Sequence, residues 1–155
     1  MAVTLTSPVT GAAQTGLTAP TYTHVVDTAP DANMKQYAVT ALGGTQTGVT
    51  THGASSPFTM TFVRPKVFKP LGKPNPVTGV IKDVPRNTWK VHVRKGVLPL
   101  AGQAYQVLQM TTTVDIPAGS DIADPANIRA AFSMLIGGLT QISSGIGDSA
   151  VTGIL

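Results

Sequence analysis

The stretch AYQVLQMTTTVDIPAGSDIADPANIRAAFSMLIGGLTQIS, residues 104–143, changes its period halfway along. Up to Ile116, apolar Leu108, Met110, Val114 and Ile116 alternate with Gln109, Thr111 and Thr113. Side chains of a strand point to opposite faces in turn, so this pattern predicts a long half-buried strand. Pro117 cannot donate to a sheet ladder and stops it. Beyond, Ile128, Ala131, Phe132, Leu135, Ile136, Leu139 and Ile142 recur at helical spacing. Asp124 suits the N-cap and Pro125 the first helical turn. Gly137 and Gly138 weaken that helix by about 1 kcal/mol each relative to alanine. The tail SGIGDSAVTGIL predicts a short second helix from about Asp148 to near Gly153. Strands come first and helices last, which is an α+β chain with a mainly antiparallel sheet.

Working outward, NTWKVHVR (87–94) is a second alternating strand, with Trp89, Val91 and Val93 on one face and Thr88, Lys90, His92 and Arg94 on the other. PFTMTFVR (57–64) places Phe58, Met60 and Phe62 opposite Thr59 and Thr61. QYAVTAL (36–42) reads as a strand ending at Gly43-Gly44. Tyr22–Val26 and Val3–Leu5 are shorter β-like pieces. The segments between them are loops. PKVFKPLGKPNPVTG alone holds four prolines and two glycines, VIKDV allows only brief pairing, and Gly96, Pro99 and Gly102 break the chain after Arg94.

Charge is scarce and lopsided. Charged residues are 12% of the chain and Glu is absent, against about 25% in an average globular protein. Arg64, Lys66, Lys69, Lys73, Lys82, Arg86, Lys90, Arg94 and Lys95 face only Asp83 between positions 64 and 95, a net charge of +8. Such a block suits an anionic polymer as partner, the plainer alternative being a solvated basic loop. Low charge elsewhere suits either a surface buried against other copies of the chain or a neutral, Thr-rich exposed one.

If the three alternating strands share one sheet, Thr59, Thr61, Thr88, Lys90, His92, Arg94, Gln109, Thr111 and Thr113 form one flat polar face. Cations on it would hold phosphates while hydroxyl and amide groups read bases. Flat sheet faces suit single-stranded or looped RNA better than a duplex groove.

Other chemistries find no footing. No cysteine is present, which removes disulfides and thiolate sites. His24, His52 and His92 have no metal-ligand spacing, and no nucleophile elbow, phosphate loop or dinucleotide fingerprint occurs. No catalytic, metal or cofactor site is expected, nor a small-molecule substrate. The first residues lack a secretion signal. No run approaches the roughly 20 apolar residues of a membrane span, so no membrane partner is expected.

From about Phe58 to Leu155 the order and spacing of VPRNTWKVHVRKG and VDIPAGSDIADPANIRAAFSMLIGGLTQISSGIGDSAVTGIL resemble the coat proteins of single-stranded RNA bacteriophages, especially those of uncultured leviviruses. The resemblance implies one coat-protein domain over residues 1–155, with an N-terminal β-hairpin, a five-stranded antiparallel sheet and two C-terminal helices. It implies an interlocked homodimer whose sheets join edge to edge and whose helices lie across the partner's sheet. Ile128, Phe132, Leu135, Ile136 and Leu139 would form the shared core. Dimers would close an icosahedral shell around the genome, with assembly in the bacterial host cytoplasm and the virion as destination. A loop expected on Lys95, Gly96, Val97, Leu98, Pro99, Leu100, Ala101 and Gly102 would meet other subunits. The polar sheet face would bind a genomic RNA hairpin and repress replicase translation. The chain departs from the family at Gln109, where some members carry a base-stacking tyrosine, and in the longer basic segment 65–82. The alternatives are a stand-alone RNA-binding repressor domain and a surface or pilus-like β protein.

Overall fold

The computed structural model describes residues 3–155. Strands β1 (Val9–Thr10), β2 (Thr18–Asp27), β3 (Met34–Thr45), β4 (Phe58–Val63), β5 (Arg86–Val97) and β6 (Gln106–Pro117) form one antiparallel sheet in chain order. Helices α1 (Ser120–Ala123), α2 (Pro125–Gln141) and α3 (Ser143–Thr152) follow. Strands before helices, as the change of period requires, is the order seen.

Several details differ from the sequence expectation. The sheet has six strands rather than five. In place of a separate N-terminal hairpin, Val9 and Thr10 pair with Tyr22 and Thr21 of β2, and Gln14 and Leu17 make an isolated bridge. Val3–Leu5 forms no strand. Three helices replace two, because Ser120–Ala123 makes a single turn ahead of the Asp124 cap. The Asp124 carboxylate accepts from the Asn127 N–H at 3.3 Å, with Pro125 next in the chain. The last helix starts at Ser143, five residues early, because Ser143 Oγ donates to the Ala13 carbonyl at 2.8 Å and Gln14 Nε2 donates to the Ser143 carbonyl at 2.7 Å. It ends where expected, with Gly153 in the left-handed region.

Two glycine sites read as breaks lie within strands. β3 runs through Gly43 and Gly44 because β2 is bulged opposite them, and a side chain at Gly44 would meet the Ala19 carbonyl. β5 continues past Arg94 to Val97, so Lys95, Gly96 and Val97 belong to the strand and the following loop is residues 98–105. Gly96 donates its N–H to the Pro57 carbonyl at 2.7 Å. A Cβ there would stand 2.7 Å from Ser56 Cα. Gly96→Ala is therefore expected to push residues 56 and 57 off β5 at a cost of about 1–3 kcal/mol, read as a fall in the thermal midpoint. An unchanged midpoint would contradict this close approach.

One copy of the chain has almost no core. Apart from Pro20 and Gly96, only Tyr37, Ala38, Val39 and Ala118 are buried apolar residues among those described. Residues 3–7 lie near the β2–β3 part of the sheet: Leu5 N–H donates to the Tyr37 hydroxyl at 3.3 Å, and Lys35 Nζ to the Val3 carbonyl at 3.0 Å. Among the described residues, the β6 edge and α2 are barer. Met110 on β6 is 56% exposed and Ile136 on α2 is 62% exposed. No residue of α2 is buried. An apolar cleft of about 370 Å³ opens between β6 and α2, lined by Val114, Ile116, Ile128, Ala131, Phe132 and Leu135 among others.

Candidate nucleic-acid interface

The register brings the polar residues into rows. Thr59 lies opposite Arg94, and Arg94 opposite Gln109. Thr61, His92 and Thr111 form the next row, Lys90 and Thr113 the one after, and Thr88 and Asp115 the last. All nine residues expected on the polar face share it, because directly opposed residues of an antiparallel pair project to the same side.

Their exposure differs. Lys90, Arg94, Gln109, Thr111 and Thr113 are exposed, while Thr88 and His92 are half-buried. Thr59 and Thr61 are buried, at 2% and 4% exposure. The Thr59 hydroxyl is shielded and has no hydrogen-bond partner. His92 Nδ1 and Thr111 Oγ1 are 2.8 Å apart. Thr88 Oγ1 donates to the Asp115 carboxylate.

The row through Thr61 continues into β3 and β2, which alternation within single strands does not reveal. Gln36 lies opposite Thr61 and Asp27 opposite Gln36. Gln36 Nε2 donates to Asp27 Oδ2 at 2.6 Å, and Thr61 Oγ1 donates to Gln36 Oε1 at 2.9 Å. A depression of about 230 Å³ sits over this row, lined by Pro30, Met34, Gln36, Thr61, His92, Arg94 and Gln109.

The basic block divides between the two faces. Lys90 and Arg94 stand on the polar face. Lys95, one residue on, points to the apolar face, where Nζ donates to the Thr50 carbonyl at 2.9 Å and lies 4.9 Å from the Phe58 ring centre. Burial there pulls the Lys95 pKa below its ordinary value. The proline-rich loop is also tied to the apolar side. Lys69 N–H donates to Asn87 Oδ1 at 2.8 Å, Asn87 Nδ2 donates back to the Lys69 carbonyl at 3.1 Å, and Phe68 packs edge-on to Trp89. Lys66 pairs with Asp31 at 3.0 Å.

The loop following β5 is exposed throughout residues 98–104, including the large side chains Leu98 and Leu100. On α2, Ile128 and Phe132 are half-buried and Leu135, Ile136 and Leu139 are exposed.

Comparison with solved structures places this architecture. The chain in a structure described as a virus-like particle of bacteriophage ESE020 is 57% identical, with a TM-score of 0.96, and the match covers 99% of this chain and 100% of that one. No protein-family profile matches the chain, and no curated protein matches it. Identity at this level over the whole length, with the same fold, defines a bacteriophage capsid protein. The chain belongs to the family of single-stranded RNA bacteriophage coat proteins.

Proposed function

We propose that residues 1–155 act as one coat-protein domain that dimerises, assembles into an icosahedral shell around a single-stranded RNA genome, and binds an RNA hairpin on its polar sheet face. One observation carries the dimer. The apolar stripe of α2 and the apolar residues Leu108 and Met110 of β6 both stand exposed in a single copy. Burying apolar surface is the main favourable term in folding, and each bare surface fits the other in kind. Two copies joined along the unpaired edge of β6, with α2 of each laid over the other's sheet, cover both surfaces. The same pairing closes an open sheet edge. Ile128, Phe132, Leu135, Ile136 and Leu139 then form the shared core.

The exposed loop Leu98–Gly102 carries contacts between dimers, and Lys95, Gly96 and Val97 support it from the strand. Thr59, Thr61, Thr88, Lys90, His92, Arg94, Gln109, Thr111 and Thr113 form the RNA face, with repression of replicase translation as one consequence of hairpin binding. The protein assembles in the host cytoplasm and resides in the virion. The recombinant protein is expected to yield closed, regular particles in electron micrographs, and dimers on disassembly. Free dimers that never close would favour the stand-alone repressor, and filaments the surface or pilus-like protein.

A further inference from the structure

Resting on the reading of the polar face as an RNA face, we propose that Asp27 and Gln36 are positioning residues. They set the hydrogen-bonding polarity of Thr61, so that the depression over it takes a nucleobase bearing an exocyclic amino group in preference to uracil.

Donors and acceptors are chained along one row, from Asp27 through Gln36 to Thr61. A carboxylate only accepts hydrogen bonds. Asp27 Oδ1 accepts from the Thr28 N–H at 2.8 Å and Oδ2 from Gln36 Nε2 at 2.6 Å. Asp27 thus compels Gln36 to turn its amino group towards β2 and its carbonyl towards β4. A carbonyl oxygen also only accepts, so Thr61 must spend its one hydroxyl hydrogen on Gln36 Oε1 at 2.9 Å. What Thr61 keeps for a ligand is lone-pair density alone. Thr61 is 4% exposed and lines the depression, so its hydroxyl is approached from that side. Among the described residues, the Asp27 carboxylate is the group that accepts from the Gln36 amide, and it fixes the orientation.

Thr61, Gln36, Met34, His92, Arg94 and Gln109 line the depression above this oxygen. An exocyclic amino group there gains a bond to Thr61. Uracil, presenting a carbonyl at the same edge, sets acceptor against acceptor at Thr61 and forgoes that bond. A site arranged around one hydrogen bond discriminates strongly against a ligand that cannot make it.

The test compares fluorescein-labelled cytidine and uridine decamers, which carry equal charge, titrated against the protein under conditions that prevent shell closure. Wild type is expected to bind the cytidine decamer about fivefold or more tightly, the range of one net hydrogen bond. Asp27→Asn frees Gln36 to reverse its amide, and the preference should fall within about twofold. Thr61→Val should do the same by removing the acceptor. The double variant Asp27→Asn with Gln36→Glu exchanges donor and acceptor between the two residues at unchanged charge. It again offers Thr61 an oxygen and should restore the preference. A structural role alone would not move the ratio and return it in this way. Equal binding of both decamers by wild type, or a full preference in folded Asp27→Asn, overturns the inference and leaves RNA binding standing. Failure of wild type to bind either decamer overturns the inference, and failure to bind an RNA hairpin as well overturns the RNA reading.

Discussion

Phe132→Asp is expected to abolish the soluble dimer and the particles together. Phe132 lines the cleft between α2 and β6 beside Val114, Ile116 and Leu135. In the proposed dimer this cleft is closed by the second copy. Losing a buried phenylalanine side chain costs about 3–5 kcal/mol, and an unpaired carboxylate taken out of water adds several more. Two-fold symmetry applies the loss twice. The sum is comparable with the whole stability of an ordinary domain, about 5–15 kcal/mol. A single copy has no reserve to fall back on, with so few buried apolar residues among those described. Size-exclusion chromatography with light scattering should therefore find aggregate or nothing where wild type gives dimer. A well-folded wild-type monomer at micromolar concentration and neutral pH would contradict the shared core.

The parts of the fold that depend on period alone were legible in the sequence. Alternation in 87–94 and 108–116 assigned each residue to its face, and the spacing from Ile128 to Ile142 marked the long helix. What escaped depends on neighbours distant in the chain. Gly96 looked like a break because nothing local says that Ser56 crosses over it. The early start of α3 depends on Ala13 and Gln14, some 130 residues away. Val9–Thr10 joins the sheet rather than forming its own hairpin because Tyr22 and Thr21 offer it an edge. Within the polar face, Lys90, His92 and Arg94 could be named from one strand. Asp27 and Gln36 could not, since their place follows from the register of three strands at once. Burial of Thr59 and Thr61 was equally invisible, because alternation gives direction and not depth.

That division of the basic block leads to the expected behaviour in salt. Cations that neutralise phosphate release condensed counterions, so affinity falls linearly with the logarithm of salt concentration, by about 0.7 for each contact to a single strand and about 0.9 for a duplex. Lys90 and Arg94 are exposed on the face that presents Gln109, Thr111 and Thr113. Removing both, in Lys90→Ala with Arg94→Ala, should lower the slope by about 1.4 to 1.8. Lys95 is adjacent in sequence but holds Thr50 on the other side of the sheet. Lys95→Ala should lower the unfolding midpoint and leave the slope alone. Gln109→Ala and Thr111→Ala should shift the preference among hairpins and not the slope, since uncharged groups release no counterions. Fluorescence titration of dimers with an RNA hairpin at several salt concentrations measures all of these. If the double variant keeps the wild-type slope while charge removal at Lys66, Lys69, Lys73 and Lys82 flattens it, RNA is held by the proline-rich loop. The alternation in 87–94 would then only divide a core face from a solvated one.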